Sequence, residues 1–432
     1  MASPVTPPRG MRDFLPRDKA RREHALGIIR RVYSDYGFDE IETPVVEDFA
    51  RLHSGLGGDN EKLAFNVLKR GLTAEDAAAA ASANSLDALT DLGLRFDLTV
   101  PLARFYASHR SELPPVFRSI QIAPVWRAER PQKGRYRQFV QCDIDIIGEA
   151  GPLAEIELIT ATSAALTALG LTDCRVRIND RRLLVGMLDV FGFDPEEHAG
   201  VLITIDKLDK VGASGVIDEL RQRGVSEPAV QQLEAYLAQP EPADLPFGED
   251  QIRSRLPAGV DAAVITELAG IGLAAGRGGA GIPVVFDPFL VRGMGYYTGP
   301  IFEIEHPGLG YSLGGGGRYD GMIGRFLGQD VPATGFSIGF ERIVDLVDLA
   351  DDAATASAVL VYDRDVAPAV LVSLKSELVA SGTRVRLEKR TKNLTSLLER
   401  VTADGYRSFA VVTAATASVT DLEFKPLGER RA

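Results

Sequence analysis

Residues 119–147 read SIQIAPVWRAERPQKGRYRQFVQCDIDII. Two apolar runs, residues 120–126 and 139–147, have the length and composition of β-strands and bracket a short polar loop, so they predict an antiparallel hairpin. The loop concentrates positive charge in Arg127, Arg130, Lys133, Arg135 and Arg137. A solvated charged hairpin and a phosphate-binding loop both fit this composition, because arginine binds phosphate bidentately and keeps its charge.

Further strand-like runs lie outward from this hairpin, at residues 38–46, 94–96, 284–286 and 301–305. Loops and hairpins, rather than regular helices, join many of them. This pattern predicts the α+β class, with a mixed and largely antiparallel sheet instead of a doubly wound parallel one. Helices are expected over residues 18–36 and over the alanine-rich residues 73–87.

The chain divides into two predicted domains. Residues 1–345 hold the sheet, and a charged helical insertion interrupts it at about residues 180–268, with helices expected at residues 181–190, 207–223 and 228–238. The glycine-rich residues 274–281 are expected to return the chain to the sheet. Beyond a polar linker, residues 357–432 alternate strand and helix, which is typical of a small α/β domain.

Composition excludes several classes of protein. The 432 residues carry a net charge of −12, so the surface as a whole repels nucleic acid, although a local basic stripe can still bind phosphates. Two cysteines are too few for a disulfide framework, and five scattered histidines lack metal-ligand spacing, so we expect no protein-only metal site. No run approaches the ~18 apolar residues of a membrane span. We therefore expect a cytoplasmic protein without a membrane partner.

Polar residues recur on what should be the inner face of the sheet. Gln141, Asp143 and Asp145 lie two residues apart and therefore share one face of a strand, and Asp97 and Thr99 show the same spacing. Such groups are costly when they are buried without partners. A polar ligand is one interpretation of them, and a solvated strand face is the other.

Residues 314–317 are four consecutive glycines, followed by Arg318, Tyr319 and Asp320. We expect a loop between two strands there. Its glycines would serve either a tight turn or a floor on which a planar ligand lies. No Lys-Ser/Thr pair follows, which excludes a P-loop, and the helix of a dinucleotide fingerprint is missing.

Taken together, the motifs resemble those of class II aminoacyl-tRNA synthetases. Residues 37–44 look like motif 1, residues 127–139 like motif 2 and residues 335–342 like motif 3. Three further stretches are similar to the histidyl-tRNA synthetase family in particular, namely residues 7–16, 290–298 and 314–321.

The resemblance implies ATP-dependent ligation of L-histidine to histidine tRNA through a histidyl-adenylate intermediate. It also implies a homodimer, Mg²⁺ accompanying ATP as the sole cofactor, and a class II antiparallel-sheet catalytic domain at residues 1–345. Residues 357–432 would then form a shortened anticodon-binding-like domain.

The resemblance also assigns roles to residues. Arg127 and Arg292 would be catalytic, as cations at the α-phosphate. The ATP-binding residues would be Arg127, Glu129, Phe139 and Arg342. The histidine-binding residues would be Asp97, Thr99, Gln141, Asp145, Tyr296, Tyr297 and Tyr319. The tRNA-binding residues would be Gln132, Lys133 and Arg137, beside the acceptor end.

One alternative belongs to a different class of protein. Catalytically inactive paralogues of this family serve as histidine-sensing regulatory subunits of ATP phosphoribosyltransferase, and they tend to lose nucleotide-binding residues and the C-terminal domain. Here Arg127, Arg292 and Arg342 are all present. The sequence therefore favours the enzyme.

Overall fold

The computed structural model describes residues 5–53, 63–85, 87–131, 134–239, 245–278, 281–292, 295–347 and 356–428. Two compact units divide the chain. The first comprises Met1–Arg12 and Ala25–Val347, and the second comprises Asp13–His24 and Asp348–Ala432.

Two sheets organise the first unit within the described residues. Its strands, in chain order, are β1 (Asp39–Glu40), β2 (Val46–Asp48), β3 (Phe65–Leu68), β4 (Thr90–Leu94), β5 (Phe117–Trp126), β6 (Gln138–Ile147), β7 (Arg175–Asp180), β8 (Val284–Phe286), β9 (Pro300–Glu305), β10 (Gly314–Arg318) and β11 (Ala333–Gly339). The large sheet has the order β1-β5-β6-β11-β10-β9-β7-β8, and the small one has the order β2-β4-β3.

Antiparallel pairing dominates the large sheet, as predicted. The predicted hairpin is confirmed, because β5 pairs with β6 from Phe117 opposite Ile147 to Trp126 opposite Gln138. Only the outer pairs, β1 with β5 and β7 with β8, run parallel. The fold is thus mixed α and β around an antiparallel-rich sheet, as the α+β prediction required.

Helices cover the sheet and fill the segment between β7 and β8. In chain order they are α1 (Pro16–Asp35), α2 (Phe49–His53), α3 (Ala74–Ser82), α4 (Thr99–His109), α5 (Leu153–Ala168), α6 (Arg181–Phe191), α7 (His198–Ile205), α8 (Leu208–Arg223), α9 (Glu227–Leu237), α10 (Glu249–Ser254), α11 (Ala262–Gly278), α12 (Asp320–Leu327) and α13 (Phe340–Ile343). No described helix is long and apolar enough to cross a membrane.

The tetraglycine segment is not a loop, which corrects our expectation. It forms β10, which pairs with β11 on one side and with β9 on the other. A Cβ atom on Gly315 would lie 2.7 Å from the carbonyl oxygen of Phe302, and one on Gly317 would lie 2.6 Å from that of Pro300. The glycines are therefore needed because the neighbouring backbone and side chains approach closer than a Cβ allows.

Residues 38–46 were expected to form one strand, and this expectation is wrong. They divide into β1 of the large sheet and β2 of the small one. Pro44 lies between the two strands and cannot donate to a ladder. Arg95 stabilises the backbone between the two strands, because its Nη1 donates to the carbonyl oxygens of Thr43 at 2.7 Å and of Pro44 at 3.2 Å.

The second unit has its own sheet. Its described elements after residue 355 include β12 (Ser357–Tyr362), α14 (Pro368–Ala380), β13 (Arg384–Lys389), α15 (Leu394–Ala403), β14 (Ser408–Val412) and β15 (Lys425–Pro426). The strand order is β13-β12-β14-β15, and β12 runs parallel to both of its neighbours. Leu360, Leu374 and Ala410 share one buried cluster, whereas Val359 and Val401 share another. The predicted strand–helix alternation is confirmed.

Candidate active site

A cavity of about 2050 Å³ opens over the middle of the large sheet. Strands β6 to β11 contribute its sheet-side lining, and helices α6 to α10 contribute further lining residues. The twelve residues to which the resemblance assigns catalytic, ATP-binding or histidine-binding roles all line this one cavity: Asp97, Thr99, Arg127, Glu129, Phe139, Gln141, Asp145, Arg292, Tyr296, Tyr297, Tyr319 and Arg342. Segments that are far apart in sequence thus meet at a single site.

One side of the cavity is acidic. Asp143 and Asp145 are each only 4% exposed, and Gln141, on the same face of β6, is 8% exposed. Gln141 Nε2 donates to Ser337 Oγ at 3.0 Å, but its Oε1 has no partner among the described residues. Asp97 likewise accepts from the Val100 amide through Oδ1, while its buried Oδ2 has no partner there. Such unpaired buried acceptors suit a ligand that carries hydrogen-bond donors and positive charge.

Burial disfavours the ionised form of these carboxyls. It raises the pKa of Asp97 to about 6 and that of Asp145 to about 7. Tyr319 counters part of this effect, since its hydroxyl donates to Asp145 Oδ1 at 2.5 Å. The pKa of Asp143 is raised as well, by burial first and by the Asp145 charge second. A cationic ligand would reverse these shifts by stabilising the ionised carboxylates.

Asp145 makes the stability of the unliganded protein depend on pH. Its pKa rises from 3.8 to about 7 on folding, so between these values the folded state holds more protons and stability falls as pH rises. Asparagine does not titrate. We therefore expect the difference in unfolding free energy between Asp145→Asn and wild type to change with pH. Between pH 5 and pH 8 it should shift in favour of the variant by roughly 2–3 kcal/mol, at ~1.36 kcal/mol per pKa unit. Urea unfolding of both proteins at the two pH values measures this difference, and a constant difference would contradict it.

A second region of the cavity is cationic. Arg342 Nη1 donates to the Ser312 carbonyl at 2.6 Å. Burial, followed by the charges of Arg135, Arg292 and Arg127, lowers the pKa of Arg342. Four guanidinium groups thus repel one another across this region, and a polyanion would relieve that repulsion.

Arg127 and Phe139 lie together in this cationic region. Arg127 Nε donates to the Phe96 carbonyl at 3.0 Å, and its guanidinium lies 5.0 Å from the centroid of the Phe139 ring. The ring therefore already carries a planar cation on its face, and an aromatic ligand group could pack there as well.

Arg292 lies flat against the sheet. A Cβ atom on Gly315 would fall 2.6 Å from Arg292 Nη1, so the absence of a side chain in β10 makes room for the guanidinium. Glu303 holds it there, because Arg292 Nη1 donates to Glu303 Oε2 at 2.8 Å. The neighbouring residues 293 and 294 lie outside the described part of the chain.

Three tyrosines stand beside the acidic side of the cavity. The ring centroids of Tyr296 and Tyr297 are 4.6 Å apart, and Tyr296 meets Tyr319 edge to face at 6.0 Å. Burial raises the pKa of both Tyr296 and Tyr319, so their hydroxyls stay protonated as hydrogen-bond donors. Aromatic faces and protonated hydroxyls together suit a planar polar group.

The charged loop between β5 and β6 is anchored by the N-terminal segment. The Arg137 amide donates to the Gly10 carbonyl at 2.8 Å, and the Arg12 guanidinium lies 3.6 Å from the centroid of the Tyr136 ring. Arg12 also pairs with Glu341, whose Oε1 accepts from the Val140 amide at 3.3 Å. Sequence reasoning missed both members of this pair, since no local pattern joins residues so far apart.

The three residues predicted to contact nucleic acid have different outcomes. Gln132 and Lys133 lie outside the described residues. Arg137 is described, and it does not line the cavity; its Nε donates to the Glu129 carbonyl at 3.0 Å. Within the described chain, no group of three or more His, Cys, Asp or Glu side chains could hold a metal ion. The cavity thus holds a group of arginines, which suits a polyanion, and a group of buried carboxyls and tyrosines, which suits a cationic, planar molecule.

Comparison with known proteins gives a consistent picture. A model of the family described as histidyl-tRNA synthetase matches residues 10–343. A histidine–tRNA ligase of Leifsonia xyli subsp. xyli is 63% identical, and the match covers 99% of this chain and 100% of the relative. A probable histidine–tRNA ligase of Tropheryma whipplei is 43% identical, with 94% and 95% covered.

Solved structures share the fold. A histidyl-tRNA synthetase from Nostoc sp. PCC 7120 superposes with a TM-score of 0.75 at 24% identity, covering 99% of this chain and 97% of that one. A protein from Bacillus halodurans C, described as an ATP phosphoribosyltransferase regulatory subunit/histidyl-tRNA synthetase, gives 0.75 at 21% identity, covering 96% and 100%. Both likenesses concern the fold alone.

Proposed function

Since the chain belongs to the histidyl-tRNA synthetase family, we propose that the two sides of its cavity divide the reaction between ATP and histidine. The chain is a class II aminoacyl-tRNA synthetase that charges tRNA with histidine. One observation carries the proposal for the site: Arg127, Arg292 and Arg342 line the same cavity as a set of buried carboxylates. The first group suits the phosphates of ATP, and the second suits the ammonium group and imidazole of histidine.

In the first step, the histidine carboxylate attacks the α-phosphorus of ATP and pyrophosphate leaves, which forms histidyl-adenylate. Negative charge develops on the α-phosphate oxygens in the transition state. Arg127 and Arg292 stabilise that charge, and Arg342 holds the γ-phosphate at the far end. Phe139 stacks on the purine, and Glu129 contacts the adenine amino group. In the second step, the 3′-terminal ribose hydroxyl of the tRNA attacks the acyl carbon and AMP leaves.

The acidic side binds histidine. Asp97, Thr99 and Gln141 receive the α-ammonium group, which supplies the donors that the free acceptors of Asp97 and Gln141 lack. The imidazole lies among Asp145, Tyr296, Tyr297 and Tyr319. An amino acid without ring nitrogens would leave these buried polar groups unpaired, and such a mismatch gives strong discrimination.

Mg²⁺ is proposed to enter with ATP. The described residues offer single carboxylates rather than a cluster of three, which suits an ion that keeps substrate phosphates and waters as its main ligands. Glu341, which lines the cavity next to Arg342, would contribute an oxygen. The ion would neutralise phosphate charge when bound.

The regulatory-subunit alternative has no support beyond the fold. The Bacillus halodurans structure whose description names such a subunit is 21% identical to this chain. The arginines that an inactive paralogue tends to lose are present and line the cavity. One experiment separates the two functions: the enzyme supports histidine-dependent exchange of pyrophosphate into ATP, whereas a regulator that only binds histidine supports none.

Homodimerisation through residues 37–44 is proposed on the basis of the exposed apolar residues beside them. Val45 and Val46 are 42% and 37% exposed, and Leu68 of the same small sheet is 62% exposed. Twofold assembly would cover such a surface. Sedimentation at micromolar concentration should give twice the mass of the chain, and a monomer alone would exclude the proposal.

We also propose a cytoplasmic location, where tRNA is charged and where the thiols of Cys142 and Cys174, which form no disulfide, stay reduced.

Contact with the tRNA terminus is proposed for Gln132, Lys133 and Arg137, which belong to the loop from Arg130 to Arg137. This loop carries positive charge next to the ATP side of the cavity, where the acceptor end must arrive. We expect Arg137→Ala to slow tRNA charging several-fold while pyrophosphate exchange stays within about twofold, because a phosphate contact positions the RNA without acting on adenylate formation. Parallel exchange and charging assays measure the two effects. Equal losses in both assays would show that Arg137 supports the loop structurally.

A further inference from the structure

A row of charged residues crosses the large sheet beside the catalytic arginine. Arg177 of β7 is opposite Glu303 of β9, and Glu303 is in turn opposite Gly315 of β10. Arg292 lies over Gly315, as described above. Directly opposed residues on neighbouring strands are close enough to interact, so one register row brings Arg177 and Arg292 to the same glutamate.

Glu303 is shared between the two arginines. Its Oε2 accepts from Arg292 Nη1 at 2.8 Å, and its Oε1 lies 3.5 Å from Arg177 Nη1. The side chains of Arg177, Glu303 and Arg292 are 16%, 17% and 24% exposed. Such a half-buried, doubly paired carboxylate has little rotational freedom, so it fixes the guanidinium that it holds.

Arg177 is itself held from two sides. Its Nε donates to Asp287 Oδ2 at 2.6 Å, just beyond β8, and its Nη1 donates to Asp209 Oδ2 at 3.0 Å. Burial alone would lower the pKa of Arg177, but Asp287 and Asp209 raise it on balance, so the side chain stays charged. Asp209 lies in α8, in the helical segment inserted between β7 and β8. Arg177 therefore connects that helical segment with the partner of Arg292.

We infer that Arg177 is a positioning residue for Arg292. It clamps Glu303, and Glu303 orients the Arg292 guanidinium toward the α-phosphate. The contact with Asp209 makes this orientation depend on where α8 lies, so the inserted helices influence adenylate formation through Arg177. The inference deepens the proposed function and rests on the catalytic role given to Arg292 there.

A double-mutant cycle tests the inference. Arg177→Ala should lower kcat for histidine-dependent pyrophosphate exchange by roughly 10–100-fold, as loss of a supporting contact to a functional group does, and should change the KM for histidine less than about twofold. In an Arg292→Ala background the same substitution should have almost no further effect, because the group that it orients is already gone.

Arg118→Ala is the matched control. Arg118 lies in β5 of the same sheet and forms a comparable pair with Glu157 at 2.6 Å and 2.8 Å, yet it does not line the cavity and has no contact with Glu303 among those described. It should retain exchange within about twofold. If Arg118→Ala were as harmful as Arg177→Ala, the effect would come from general loss of charge pairing on the sheet, and the inference would be wrong.

Two further variants distinguish loss of the Arg177 contact from a folding defect. Arg177→Lys keeps the charge near Glu303 and should recover part of the activity, and thermal unfolding should show that it remains folded. The Asp209 side chain is 70% exposed, so Asp209→Asn should not disturb folding. It should lower kcat a few-fold in the wild-type background and should have no effect on kcat in the Arg177→Ala background, where its partner is gone.

Two failures are distinguishable. Multiplicative effects of Arg177→Ala and Arg292→Ala would overturn the inference while leaving the role of Arg292 intact. Full exchange activity in Arg292→Ala would instead overturn the proposed catalytic role itself.

Discussion

Arg292→Ala should slow histidine-dependent pyrophosphate exchange by about 10²–10³-fold, the usual cost of removing one donor that stabilises transition-state charge. Histidine affinity should change far less. The guanidinium lies over Gly315 of β10, and in the proposed reaction it meets the α-phosphate where the carboxylate of histidine attacks. Its charge therefore acts mainly on the oxygens that become more negative during attack, and less on bound histidine.

Steady-state exchange at varied histidine and ATP separates kcat from KM for this variant. Arg118→Ala is a matched control, because Arg118 pairs with Glu157 at 2.6 Å, is 28% exposed, and does not line the cavity. It should keep exchange within about twofold. Equal losses in histidine affinity and in rate for Arg292→Ala would identify Arg292 as a ground-state ligand or a structural residue.

The sequence was sufficient to predict the hairpin and the polar face of β6. Alternation with period two is a local property, so it places Gln141, Asp143 and Asp145 on one face before any tertiary contact is known. The burial of these three residues then follows from their position in a central strand. β12 was predictable for another reason, since SAVLVY is a short and nearly continuous apolar run, which is typical of a buried strand with parallel neighbours.

Other elements could not be predicted locally. α5 buries residues on all sides, so its sequence lacks the polar stripe that identifies an amphipathic helix. The pairing of Arg177 with Glu303 joins positions more than 100 residues apart through the register of β7 and β9. Neither residue stands out in the sequence, because a single charge in a strand is ordinary. Only the tertiary arrangement brings Arg177 and Arg292 to the same glutamate.

Four glycines have no strand propensity, which is why β10 was mistaken for a loop. The residues of the neighbouring strands β9 and β11 explain why glycine is required here. Gly316 is opposite Phe336 on one side and Phe302 on the other, and these two rings, with centroids 4.8 Å apart, are buried. Alternation turns Gly316 away from Arg292 and Tyr297, toward which Gly315 and Gly317 face.

Gly316→Ala should therefore destabilise the first unit by at least about 3 kcal/mol, at the upper end of overpacking costs. The new Cβ atom would collide with the Gly335 carbonyl and lie 2.8 Å from Phe336 Cα, all backbone of β11 that a rotamer change cannot move. The collision can be relieved only if β10 and β11 move apart. This movement weakens the hydrogen bonds between two strands that line the cavity. Urea unfolding, or loss of soluble protein on expression, measures the effect.

Gly321→Ala is the control that makes this result specific. Gly321 lies in α12, five residues after Gly316, and a Cβ atom there meets nothing within 4 Å. Alanine at a compatible helical site lowers the entropy of the unfolded chain, so this variant should be as stable as wild type or more stable by about 0.4–1 kcal/mol. If both variants unfolded at the same urea concentration as wild type, β10 would have room for a side chain. The tetraglycine strand would then need another explanation than the close approach of its neighbours.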